Sequence, residues 1–552
     1  MKSIYLLHHL ISNALERHHA REAIEYLDQS VSYSQLADQV FKFGQALIAN
    51  DIQSNERVSI YLEKSIEFVV ACFGSSCAAN IFIPINPILK KDQVLHILKD
   101  SQSQVLVTSF SRLKTLENVI DDQLALKIII VVDGPEEPDW KEKYRARNIS
   151  VISWQTLVKV HGVTIDFYCD SEFSSRSAID TDAVSIFYTS GSTGKPKGVV
   201  LSHRNMVFGA KNVASYLENN QEDVLLAALP LSFDAGFSQL TTAFFSCAKV
   251  ILLNYLLPKD ILNIVVKKKV TGLTGVPPLW MQLVDLAWPK DVTEHLRYFA
   301  NTGGKMPVEI LKKLRAHFPK TKPYLMYGLT ESFRSTFLPP EEIDRRVHSI
   351  GKAIPNAEIL VLRPDGTCCE PNEPGELVHR GALVGLGYWN DTVKTSEKYK
   401  PIPISAHVRP LEISISELGV FSGDIVKKDE EGFLYFIGRS DEMIKTSGYR
   451  ISPTEIEEII YDSGLAEEVA VFPVEHLTLG HAIIAVIKVK SLENEEKNIS
   501  LVLDVCKEKL PLYMIPQKIF FTLQSLPRNQ NGKIDRKNLS KSDQYAGLFL
   551  KG

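Results

Sequence analysis

The sequence predicts an α/β fold, with a large N-terminal domain of layered α/β subdomains in two similar halves and a small α+β domain at the C-terminus. Three observations lead there. The chain has 552 residues, too many for a single core and enough for several domains. Short apolar runs alternate with helical or polar stretches as far as Tyr327, the pattern of largely parallel sheets covered by helices. Over about the last hundred residues the pattern changes to a compact mixture of helix and strand.

From Ser32 the chain reads as a helix, because Leu36, Val40, Phe43 and Leu47 share one face at helical spacing. Strand-like runs follow at residues 58–62, 81–85, 105–108 and 127–132. After a polar, serine-rich stretch at 170–181 they resume at 184–188, 224–229, 250–253 and 324–327. The boundary between the halves is therefore expected near that stretch, giving halves of about 1–175 and 176–340. Near the C-terminus Ser452 can cap a helix, Pro453 suits its first position, and Glu455 completes a capping box. Strand-like runs at 469–472 and 483–489 and an amphipathic helix at 499–510 complete this unit, with residues 438–441 as the joint before it. There is no repeat of solenoid period and no low-complexity tract.

Composition excludes several classes. Sixty-two basic against 66 acidic side chains leave a net charge of −4, which provides no footprint for nucleic acid or anionic lipid. Tyr5-Leu6-Leu7 is broken at once by His8-His9, and no segment approaches the roughly 20 apolar residues of a spanning helix. A soluble, cytoplasmic protein without membrane insertion is expected. The seven cysteines fit neither zinc spacing nor a disulfide framework; Cys72/Cys77 and Cys368/Cys369 read as reduced packing or surface thiols.

The most informative stretch is Tyr188-Thr189-Ser190-Gly191-Ser192-Thr193-Gly194-Lys195-Pro196-Lys197-Gly198. Glycines let backbone N–H groups approach oxygens, hydroxyls donate, and lysines supply charge, so the stretch suits a loop that wraps a polyphosphate. No G-x-x-x-x-G-K-[ST] spacing runs through it, so it is not a Walker loop. A plain Gly/Ser surface turn would not account for the order of its residues.

This stretch resembles the phosphate-loop signature of the adenylate-forming superfamily, which includes acyl-CoA synthetases, peptide-synthetase adenylation domains and firefly luciferase. Met326-Tyr327-Gly328-Leu329-Thr330-Glu331, Ser422-Gly423-Asp424, Gly438-Arg439-Ser440-Asp441, Lys445-Thr446-Ser447-Gly448-Tyr449-Arg450 and Asn531-Gly532-Lys533-Ile534-Asp535 are similar to further signatures in the same order. The resemblance spans nearly the whole chain. It implies a large core over 1–440, with a β-rich part at about 341–440, and a mobile C-terminal domain over 441–552. It also implies that Thr189, Ser190, Gly191, Ser192, Thr193, Gly194, Lys195 and Lys197 hold the pyrophosphate end of ATP. Gly303, Gly304 and Gly328 would border the nucleotide, Tyr327 would stack on adenine, and Asp424 would accept the ribose hydroxyls with Arg439 beside it. Thr330 would contact the α-phosphate and Glu331 would ligate Mg2+. Lys533 would bridge the substrate carboxylate and the α-phosphate, Asp441 would be the hinge, and Lys445 and Gly448 would line the tunnel for a phosphopantetheine thiol.

For the acid pocket the resemblance implies Phe233, Asp234, Gly275, Thr302, Met326 and Arg334. Phe233-Asp234 looks like adenylation domains for amino acids, where the aspartate pairs with the α-ammonium; Asp234 could equally cap the following helix. Arg334 could pair with Asp234, bind an acidic substrate, or point to solvent. Residues 327–337 also resemble stand-alone ligases that load proline onto a carrier protein, and AMP-forming acyl-CoA ligases of exopolysaccharide clusters. The expected function is activation of a small amino acid such as proline and its transfer to a separate carrier protein. The alternative is a fatty or aryl acyl-CoA ligase, with CoA as acceptor; a luciferase-type oxidative enzyme is a third reading. Lys533 and its intact surroundings argue against a nucleotide sensor without turnover. The long, proline- and isoleucine-rich segment 394–417 reads as a surface excursion or a tolerated loop insertion.

Overall fold

The computed structural model describes residues 3–118, 120, 124–134, 139–159, 176–189, 196–406, 416–440, 442–446, 449–476, 480–529, 533–542, 544–545 and 548. Two large sheets form the N-terminal part. In the eight-stranded sheet, Arg57–Tyr61, Ile81–Pro84, Val105–Thr108, Ile128–Val131, Ser150–Ser153 and Ala183–Thr189 run parallel. Lys197–Ser202 then pairs antiparallel with Ala183–Thr189, in a register that sets Thr189 opposite Lys197. The fourteen-stranded sheet has a parallel centre of Val224–Ala227, Lys249–Leu252, Gly272–Gly275, Tyr298–Asn301 and Lys322–Tyr327. It continues through Thr336–Leu338 into antiparallel strands Ser349–Ala353, Leu434–Arg439, Leu418–Lys428, Gly375–Gly381 and Ala357–Leu362.

The sheets do not divide at residue 175. Glu22–Tyr26 runs parallel to Lys249–Leu252, so a strand of the first half completes the second sheet, while Ala183–Thr189 joins Ile81–Pro84 in the first. Sharing follows from burial, because one continuous core runs through both layers. Its centre is Phe237 on the helix Asp234–Phe245, which lies 5.1 Å from the ring of Phe82 and 5.9 Å from that of Phe73, both close to parallel. Such stacked aromatic pairs add to area burial and fix the helix against the first sheet. Gly236 makes the turn into this helix possible, since a Cβ there would stand 1.9 Å from the Pro230 carbonyl oxygen.

The C-terminal unit follows its local signals. Strands Glu468–His476, Gly480–Lys488 and Lys518–Thr522 form a three-stranded sheet covered by the helices Pro453–Tyr461 and Glu495–Lys509. Ser452 accepts from the Glu455 amide, yet the capping box is only half made: the Ser452 hydroxyl donates back to the Ile437 carbonyl and ties the helix start to the preceding strand.

The segment expected as a loop begins within a helix, Thr392–Lys398, and a strand, Tyr399–Pro401, that pairs with Leu418–Lys428; residues 407–415 lie outside the described ones. Among the described residues the six cysteines are unpaired by disulfides, and no helix is long and apolar enough to cross a membrane.

Candidate active site

The carboxyl ends of the parallel strands converge on one cavity of about 2360 Å3, whose opposite wall is the C-terminal unit. Ligands of open α/β sheets bind at such ends, where loops replace the next strand. Thr189 closes Ala183–Thr189, Thr302, Gly303 and Gly304 follow Tyr298–Asn301, and Tyr327 closes Lys322–Tyr327. Gly328 follows at once, and Lys197 reaches the cavity from the start of the antiparallel strand.

Asp424 and Arg439 face each other across two antiparallel strands, with Arg439 Nη1 3.5 Å from Asp424 Oδ1. The Tyr327 hydroxyl donates to Asp424 Oδ2; burial, then this carboxylate, hold the phenol well above its ordinary pKa. Tyr327 therefore fixes Asp424 through its hydroxyl, a contact the sequence did not signal. Asp424 Oδ1 is buried and accepts no hydrogen bond among the described residues, an acceptor left unsatisfied beside Arg439.

Thr330 and Glu331 stand in a short 3-10 turn, Thr330–Ser332. The Tyr388 hydroxyl donates to Glu331 Oε1 at 2.5 Å, and burial followed by Glu331 push its pKa up. The other carboxylate oxygen has no donor among the described residues. Lys197 lies 5.8 Å from the centre of the Tyr388 ring, and its pKa is lowered by burial and then by Lys394. Lys398, which the sequence reading missed, lines the same wall; its Nζ donates to the Ser422 carbonyl at 2.5 Å, and burial lowers its pKa. No cluster of three or more protein metal ligands occurs among the described residues. Glu331 offers a hard oxygen here without a cluster of further ligands among the described residues, which fits Mg2+ held mainly through phosphates and water rather than in a protein cage.

Phe233, Asp234, Met326 and Arg334 line the inner part of the cavity. Asp234 occupies the first turn of Asp234–Phe245, but no side chain caps this helix. Its carboxylate accepts from Thr330 Oγ1 at 3.2 Å and from Arg334 Nη1 at 3.1 Å. Arg334 points inward, with 2% of its surface exposed. Gly275 stands apart: the space a side chain would take there is filled by the Trp280 indole, 2.8 Å from an added Cβ.

From the C-terminal unit Lys533 reaches the cavity, held on a turn by Asn529, whose Oδ1 accepts from the Lys533 amide at 3.1 Å. Lys305, after Gly304, bridges to Glu458 on the helix Pro453–Tyr461 and so spans the two parts. Residues Ser190, Gly191, Ser192, Thr193, Gly194, Lys195, Asp441 and Gly448 lie outside the described residues, and of Lys445 only the backbone, in the strand Ile444–Thr446, is described.

A layered α/β core, a smaller domain facing the ends of its strands, and a cleft lined by hydroxyl, lysine and carboxylate groups define an α/β protein with one polar site at its strand ends. The chain belongs to the AMP-binding enzyme family, whose profile matches residues 11–389, with the AMP-binding enzyme C-terminal domain at residues 455–533.

Gramicidin S synthase 2 of Aneurinibacillus migulanus is 26% identical over 534 residues, 96% of this chain and 11% of that protein. The chain thus spans about a tenth of the length of that relative. A long-chain-fatty-acid–CoA ligase of Escherichia coli O157:H7 is 28% identical over 506 residues, 88% of this chain and 85% of that enzyme. Among solved structures, the anthranilate CoA ligase AuaEII in complex with anthranoyl-AMP superposes with a TM-score of 0.83 at 23% identity, covering 98% of this chain and 97% of the other. The o-succinylbenzoate CoA synthetase of Bacillus subtilis, in complex with its acyl-adenylate, gives 0.78 at 25% identity over 97% and 98%.

Proposed function

We propose that this enzyme joins a carboxylic acid to the thiol of a pantetheine group, using ATP and Mg2+. In the first step a carboxylate oxygen attacks the α-phosphorus, the bond to the β-phosphate oxygen breaks, and pyrophosphate leaves. In the second the thiolate sulfur attacks the acyl carbon, and AMP leaves with the electrons of the acyl–oxygen bond. Bound Mg2+ would neutralise phosphate charge, with Glu331 as its protein ligand.

The observation that carries this reading is that Lys533 lines the same cavity as Thr330, Glu331 and Asp424. Preorganised donors aimed at the developing charge are the largest contribution to such catalysis. Lys533 neutralises the charge shared by the attacking carboxylate and the α-phosphate, while the Thr330 hydroxyl donates once it turns from Asp234. Asp424 Oδ1 accepts a ribose hydroxyl, and Lys197 with the 190–195 loop holds the leaving pyrophosphate.

Two acids and two acceptors were open from sequence. A small amino acid such as proline, passed to a separate carrier protein, draws support from the peptide synthetases among the relatives. A fatty or aryl acid passed to CoA draws support from the fatty-acid ligase, which matches over most of both chains, and from Asp234, whose carboxylate is already paired with a cation. The geometry supports the second better. Pyrophosphate exchange across amino, fatty and aryl acids tests the first half-reaction without needing the thiol; ADP and phosphate as products would overturn the assignment.

A further inference from the structure

We infer that Arg334 is a specificity residue: an internal cation that occupies Asp234 and reserves the acid pocket for acids lacking an α-ammonium. This rests on the adenylating function proposed above and names the substrate class of that site. Glu331 and Asp424 each have one oxygen held by a tyrosine hydroxyl; the other oxygen of Asp424 is buried without a hydrogen bond, with Arg439 3.5 Å away. Asp234 differs, because Thr330 takes Oδ1 and Arg334 takes Oδ2.

The chain is built to bring the guanidinium there. After Thr330–Ser332 the backbone turns at Phe333, which takes φ +55°, a region costly for a bulky residue. The Phe333 ring is fully buried against Gly209 of the helix His203–Tyr216, where a Cβ would stand 2.3 Å from it. That anchored turn sends Arg334 inward, and its Nη1 also donates to the Phe333 carbonyl at 2.9 Å. Strain held by packing on both sides marks a residue placed for a purpose.

The charges then decide. Asp234 and Arg334 sum to zero in a buried place, so an entering ammonium must either displace the guanidinium or sit unpaired beside it, and both are costly. Removing Arg334 while keeping Asp234 leaves a buried carboxylate that an ammonium can neutralise. The same residue therefore repels amino acids when present and admits them when absent. A purely structural ion pair would predict equal loss for every acid.

The test uses matched pairs differing only by the amino group: cyclopentanecarboxylate and proline, 3-phenylpropanoate and phenylalanine, hexanoate and norleucine. Pyrophosphate exchange gives the ratio of specificity constants, and calorimetric binding of the corresponding acyl sulfamoyl-adenosines gives the same ratio without turnover. The parent is expected to prefer the member without an amino group. In Arg334→Met the ratio should move at least tenfold toward the amino acid, Arg334→Lys should keep the parental preference, and Asp234→Asn/Arg334→Met should lose the shift. The neutral double variant removes both charges and keeps the comparison open if the single variant does not fold. A parental preference for amino acids, or a ratio unmoved in folded Arg334→Met, overturns the inference. Silence in exchange with every acid, alongside the expected binding ratios, would instead sink the adenylating function and leave the pocket assignment standing.

Discussion

Replacing Asp424 by Asn keeps its shape and its contact with Tyr327 but removes the charge at Oδ1. The structure sets the size of the effect. One oxygen is taken by the Tyr327 hydroxyl, so a single oxygen is left for a ribose hydroxyl, and the side chain is buried enough for that bond to escape screening. A hydrogen bond to a charged group contributes about 1.5–3 kcal/mol. At about 1.36 kcal/mol per tenfold, kcat/KM for ATP should fall about 10- to 150-fold. Tyr327→Phe frees the carboxylate to turn and should lose less, about two- to tenfold, as for one neutral hydrogen bond. The assay is adenylation with ATP, 2′-deoxy-ATP and 3′-deoxy-ATP against parent and Asp424→Asn. With the analogue lacking the hydroxyl that Asp424 receives, the two proteins should become equal, because the interaction is already gone. A full penalty with both analogues, or none with ATP, refutes the assignment of Asp424 to the ribose.

Lys533→Ala should slow adenylate formation by about a hundredfold or more, since a preorganised charge is lost, while thioester formation from preformed acyl-adenylate continues near the parental rate; parallel loss in both half-reactions refutes the role given to Lys533. His203 and His379 are held neutral by burial, with pKa values lowered to about 3. The unfolded chain binds protons at these sites below about pH 6.5, so stability is full above that value and is lost as pH falls toward 3, by about 1.4 kcal/mol per pH unit for each histidine. Denaturant midpoints between pH 7 and 4 should drop, and less steeply in His379→Gln. Gly236→Ala should destabilise by about 1–3 kcal/mol or more, because the Pro230 carbonyl cannot yield to a new methyl group; an unchanged melting temperature would count against the tight turn.

Features written in local spacing were legible. Ser452-Pro453 starts a helix wherever the chain goes, because capping needs only neighbours in sequence. The strand-like runs became strands for the same reason. The exchange of strands between the sheets was not legible, since the pairing of Glu22–Tyr26 with Lys249–Leu252 joins segments more than two hundred residues apart by burial alone. The site divides likewise. Thr330, Glu331, Asp424 and Lys533 stand in motifs and could be named, whereas Tyr388 reaches Glu331 from 57 residues away and Tyr327 reaches Asp424 from 97, with no pattern to show where a hydroxyl points. The direction of Arg334 depends on the positive φ of Phe333, which no composition or period encodes.

Asp234, Glu331 and Asp424 are among the carboxylates that line the cavity, and the way each is held indicates what it is left to do. A tyrosine hydroxyl on Glu331 restrains the group without neutralising it, so the charge and one oxygen stay available to a cation; Asp424 is held by a tyrosine hydroxyl too, with the half-exposed Arg439 3.5 Å from its other oxygen. A guanidinium on Asp234 restrains and neutralises at once. The phenol-held Glu331 is thus suited to a ligand that arrives and departs with each turnover, and Asp234, paired with a guanidinium that is itself buried, to shaping a pocket whose charge does not change. Asp234 also accepts from Thr330, so its pairing with Arg334 bears on the reacting centre as well as on the acid. If Arg334 withdraws part of the negative charge from Asp234, the Thr330 hydroxyl is held less tightly there and turns more readily to the α-phosphate. Arg334→Met should then lower kcat for acids without an amino group more than it raises their KM, whereas a pocket merely loosened by the lost side chain would raise KM first.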